Sequence, residues 1–70
     1  MKARVFSAVI QREGDLYVAQ CPEIGTGSQG NSVEEALANL KEATELYLEE
    51  FPQNELARPL LTTFEVAVGA

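Results

Sequence analysis

The chain has 70 residues, eleven acidic against five basic side chains and a net charge of −6, with one cysteine and no histidine or tryptophan. One domain fits this length. A single cysteine excludes an internal disulfide framework, the donor set is too poor for a structural zinc site, and the lack of histidine excludes Ser-His-Asp and Cys-His catalysis.

No apolar run approaches the ~20 residues of a membrane span, and Met1-Lys2-Ala3-Arg4 leads straight into a strand-like pattern rather than a signal sequence. A soluble chain in a reducing, cytoplasmic compartment is expected. Such a small core offsets chain entropy by only a few kcal/mol, so self-association or a partner is expected to add stability.

In chain order, residues 3–12 are rich in β-formers, with Phe6, Ala8 and Ile10 on one face and Val5 and Val9 on the other. Glu13-Gly14-Asp15 reads as a turn and residues 16–21 as the return strand of a hairpin, ended by Pro22. The Gly-rich stretch 24–30 predicts a weak third strand or a bulged edge. Ser32-Val33-Glu34-Glu35 is a capping box in which Ser32 caps the Glu35 amide and Glu35 reaches back, with Asn31 as the rival cap. Val33, Ala36, Leu37, Leu40, Thr44, Tyr47 and Phe51 then keep helical spacing, predicting a helix from about 32 to about 50 with this stripe buried. Residues 52–60, holding Pro52, Asn54 and Pro59, form a connection. Residues 61–68 alternate as a last strand with Phe64, Val66 and Val68 on one face.

The expected fold is therefore α+β, a single βββαβ domain over residues 1–70. Its mixed four-stranded sheet has the order 3-2-1-4, with the helix packed on one face and the last strand parallel to the first. The other sheet face, with Val5, Val9, Leu16 and Val18, is expected to be bare, and a homodimer or higher oligomer follows from it.

Three stretches carry a resemblance: Val18-Ala19-Gln20-Cys21-Pro22-Glu23, the run Ser28-Gln29-Gly30-Asn31-Ser32-Val33-Glu34-Glu35-Ala36-Leu37, and Leu46-Tyr47-Leu48-Glu49-Glu50. A strand with a tyrosine leads into Cys-Pro-acid, a Ser-Gln-Gly turn follows, and a helix opens with Glu-Glu-Ala. In these motifs, over about residues 5–51, the chain resembles the HicB antitoxin family. The resemblance implies a degraded RNase H-like fold and a role in binding and occluding HicA, a small RNA-cleaving toxin with a double-stranded-RNA-binding-like fold. Many family members add a C-terminal DNA-binding domain; none is expected here. The alternative is an orphan HicB-like domain of structural or regulatory role that binds another protein or a small anion.

Other constellations point less far. Gly25-Thr26-Gly27-Ser28-Gln29-Gly30 matches G-x-G-x-x-G, but the helix cap at Ser32 follows the third glycine and the chain is too short for a dinucleotide fold. An anion site at the amides following Ser32 is the weaker form of that reading. Cys21 in an apolar strand reads as a small buried hydrophobe. A metal-dependent nuclease needs converging carboxylates, whereas Asp15, Glu23 and Glu65 are isolated. No enzyme, cofactor or metal is therefore expected.

The carboxylates concentrate in the helix. Residues 32–50 hold Glu34, Glu35, Glu42, Glu45, Glu49 and Glu50 against Lys41 alone, nearly the whole net charge. Glu45, Glu49 and Glu50 oppose the helix dipole at its C-terminal end, so helix stability does not account for them. Leu46 falls among them, about 140° or more from most of the buried stripe. Glu42, Glu45, Leu46, Glu49 and Glu50 are the candidate partner-binding residues: an apolar anchor inside an acidic rim that meets a basic partner. Direct nucleic-acid binding is not expected of so acidic a domain.

Overall fold

The computed structural model describes residues 4–52 and 59–69. Three strands, β1 (Val9–Glu13), β2 (Leu16–Cys21) and β3 (Thr26–Gly30), form an antiparallel meander in the order β1-β2-β3, and one helix, α1 (Val33–Glu50), follows. The fold is α+β.

Local chemistry sets the meander. Glu13 pairs with Leu16, so Gly14 and Asp15 form a two-residue turn. Gly14 has φ +62° and, among the described residues, no non-glycine residue has a positive φ, the signs of a type II′ hairpin. β3 pairs with β2 without a bulge, from Tyr17 opposite Gly30 to Cys21 opposite Thr26.

Ser32 is the N-cap, and its Oγ accepts from the Glu35 amide at 3.1 Å. The reciprocal arm lands one residue further back than expected: Glu35 Oε1 accepts from the Asn31 amide at 2.7 Å. Asn31 therefore joins the cap as a donor, not as its rival.

The helix lies over β2 and β3. Small residues let it approach, and two polar contacts fix it. Asn39 Nδ2 donates to the Gln29 carbonyl at 2.8 Å, and the Thr26 and Thr44 hydroxyls share a hydrogen bond of 2.8 Å. The closed core is Ala19, Cys21, Ala36 and Leu40, with Phe6, Ile10, Tyr17 and Ile24 packed against it. Val9 stays exposed and Leu16 and Val18 only half-buried on the other face, as their alternation requires.

Three expectations need correction. The first strand begins at Val9, not near residue 3. Continuing the register Val9↔Gln20 sets Ser7 against Pro22, which has no amide to donate. The pairing lapses there, and the Glu23 carboxylate takes the Ser7 amide instead.

The second correction is the fourth strand. Residues 59–69 carry no strand in the chain and are exposed, Phe64 at 86% and Val68 at 90%. A strand needs an edge to pair with, and among the described residues none pairs with the free edge of β1. The order 3-2-1 holds without its fourth member. Most of the connection expected at 52–60, Asn54 included, lies outside the described residues.

The third correction is the width of the helical stripe. Ala36, Leu40 and Thr44 are buried, but Val33, Leu37, Tyr47 and Phe51 are exposed by 36–56%. A helix seated on two strands buries a narrower arc than one seated on four. Tyr47 and Phe51 stack on each other instead, ring centroids 5.0 Å apart.

Candidate functional site

The candidate surface is the outer side of α1. Leu46 is 57% exposed, and Glu42, Glu45, Glu49 and Glu50 are exposed around it. At 100° per residue Leu46 stands about 120° from the buried Leu40, which puts it well outside the packed arc. No basic residue lies in the last turn, so the C-terminal carboxylates meet the negative end of the helix dipole uncompensated.

On the helical wheel Glu42, Glu49 and Glu50 stand within about 60° of Leu46, and Glu45 about 100° away. Glu45 and Glu49 flank a groove of about 1160 Å³, whereas Glu42, Leu46 and Glu50 do not line it. The groove runs between the segment 4–8 that leads into β1, the end of β2 at Cys21, and one flank of the helix. Its apolar floor includes Phe6, Cys21, Leu37, Leu40 and Leu48, and Arg4 and Lys41 bring positive charge to its walls. Sequence reasoning missed this groove. The helical stripe marks Leu37 as core and passes over Leu48, although their eleven-residue spacing sets both on one helical flank.

The helix N-terminus does not favour an anion. Ser32 already occupies the Glu35 amide, and Glu34 and Glu35 stand in the first turn. Gly25 and Gly27 of the glycine motif belong to a turn at φ +92° and to β3, and Gly30 packs on the helix. These glycines form a strand and its turn, not a loop around a phosphate.

Cys21 is 1% exposed and its thiol donates to Glu23 Oε1 at 3.4 Å. Burial pushes the thiol above its ordinary pKa, and the neighbouring carboxylate adds to the rise. It stays protonated and packed at neutral pH. Asp15 and Glu23 sit at opposite ends of β2 and do not converge. Among the described residues no group of three or more His, Cys, Asp or Glu could hold a metal ion, and no helix is long and apolar enough to cross a membrane.

Glu23 instead ties the chain's first described segment to the end of β2. Its two carboxylate oxygens accept from the Ser7 amide at 3.0 and 2.9 Å. Desolvation raises the carboxyl pKa, but the hydrogen bonds from Ser7 outweigh it and hold the group below its ordinary value. A lowered folded-state pKa means that Glu23 stabilises the fold above the unfolded pKa and that this contribution is lost as pH falls through the folded value. Glu23→Gln should therefore cost about 1 kcal/mol at pH 7. In urea melts from pH 7 to pH 3, the gap to the parent should narrow as pH drops below the ordinary glutamate value of about 4.3. A gap constant with pH would show that the carboxylate charge plays no part.

No protein-family model matches the chain, and no solved structure matches it. Among curated proteins, a UPF0150 protein of Helicobacter pylori is 48% identical over 54 residues, which cover 76% of this chain and 75% of that protein. Identity at this level over three quarters of both chains shows common family membership: the chain belongs to the UPF0150 family.

Proposed function

We propose that this chain is a protein-binding module of the HicB-like antitoxin type, which binds and occludes a small, basic, RNA-cleaving toxin in the cytoplasm and does no chemistry of its own. The observation that carries this reading is the exposed Leu46 among the exposed carboxylates Glu42, Glu45, Glu49 and Glu50. An RNA-cleaving protein must hold a polyanion, so its working surface is basic and complementary to this acidic helix. An apolar side chain set inside a charged rim is the pattern of an interface anchor. The motifs shared with the HicB family, from the Cys21-Pro22-Glu23 corner to the Glu-rich end of the helix, support the same role. They also suggest an RNase H-like ancestry for the sheet and helix.

The test is calorimetric titration with a small basic toxin of the HicA type, taken from the adjoining reading frame if one is encoded there. Leu46→Glu should weaken binding by about 1–2 kcal/mol, roughly 5- to 30-fold, with the melting temperature unchanged. Association should also slow as salt is raised, because the rim acts through long-range charge. Loss of the fold in Leu46→Glu would make the residue part of the core. Unchanged binding would leave the acidic face as solvated surface and end the antitoxin reading of it.

A further inference from the structure

We infer that residues 61–68 of one copy dock as a fourth strand on the free edge of β1 in a second copy, filling its groove, in a reciprocal exchange that makes the protein a dimer. This inference stands apart from the toxin reading and does not depend on it.

Two unsatisfied halves are present in the same chain. One is an arm: Phe64, Val66 and Val68 share one face of an alternating segment and are 86%, 68% and 90% exposed. The other is the open groove with its apolar floor, beside a strand edge that no described strand pairs. Neither is stable in water as it stands, and the chain itself leaves them apart.

The backbone of the edge is ready to receive a strand. A two-residue hairpin makes Glu13↔Leu16 a hydrogen-bonded pair, so residues 13, 11 and 9 direct their amides and carbonyls at β2. The Ser7 amide, directed at Glu23 just beyond β2, continues this alternation. Phe6, Ala8, Ile10 and Arg12 therefore turn their backbone groups to the open edge. A strand laid along this edge beside residues 6–8 would turn its Phe64-Val66-Val68 face into the groove that Leu37 and Leu48 line.

The contact is mainly apolar: the arm carries one charge, Glu65, and the groove's two cations, Arg4 and Lys41, stand against Glu34, Glu45 and Glu49. A two-fold exchange closes both grooves and both edges at once, which leaves no open end for further growth.

The test introduces Val9→Cys on the edge strand and Glu65→Cys at the middle of the arm, both exposed and, in the docked arrangement, both on the sheet face away from the helix, and treats the protein with a short bismaleimide. Cys21 is buried and stays out of the reaction. The expected product is a covalent dimer on a denaturing gel, from a protein that sediments at twice the chain's mass at micromolar concentration. Phe64→Asp should raise the dimer dissociation constant at least tenfold without lowering the monomer's melting temperature. A cross-link confined within one chain would show that the arm closes its own groove and would overturn the exchange. So would the absence of any cross-link between the two positions.

Discussion

Leu40→Ala should cost about 2–5 kcal/mol, enough to unfold much of the protein at room temperature. The closed core holds three small side chains, Ala19, Cys21 and Ala36, and one large one, Leu40, at 3% exposure. Truncating it removes the one large side chain of that closed core and leaves a cavity beneath the helix. The polar contacts Asn39–Gln29 and Thr26–Thr44 hold the helix seated on β3, so the gap does not simply close. Urea unfolding followed by far-ultraviolet circular dichroism measures the loss. Leu46→Ala is the matched control on the exposed face and should stay within about 0.5 kcal/mol. If the two variants lose equal stability, Leu40 is not the centre of the core.

The helix and the hairpin were legible because their signals are local. Ser32 and Glu35 lie three residues apart and meet within one turn. Gly14 supplies the backbone sign that the hairpin needs whatever surrounds it. The fourth strand was not legible in the same sense. Alternation in 61–68 shows that one face wants burial, but it does not say which edge, or which copy, provides it.

The helical stripe shows the same limit. Spacing marks Val33, Leu37, Tyr47 and Phe51 as one side of a helix, while the number of strands beneath that side decides which of them are covered. The polar pins on β3 have no hydrophobic period and leave no mark in such a pattern. For the candidate site, the exposure of Leu46 follows from the helix alone and was legible. That Glu45 and Glu49 also border the groove depends on where the helix sits against the segment 4–8, and so it was not.

Gly30→Ala should destabilise the protein by about 1–3 kcal/mol, although the change adds a single methyl group and usually favours a strand. Gly30 closes β3 opposite Tyr17, where the chain turns into the helix. A Cβ built there would stand 2.6 Å from the Ala36 amide nitrogen and 2.9 Å from the carbonyl carbon and Cβ of Glu35. Two of these three are backbone atoms of the first helical turn, held by the Ser32 cap and by Ala36 N donating to Ser32 O at 2.9 Å. They cannot swing aside as a side chain would, so either the helix lifts from β3 or the cap breaks. Gly27→Ala is the discriminating partner, because its Cβ would meet Ala19 O at an ordinary 3.6 Å. It should be neutral or slightly stabilising, since alanine narrows the unfolded ensemble. The third glycine of the G-x-G-x-x-G run is then fixed by contact between sheet and helix, and thermal melts of the two variants should separate by several degrees. Equal melting temperatures would mean that the helix N-terminus yields, and that the close approach at Gly30 is not what holds α1 on the sheet.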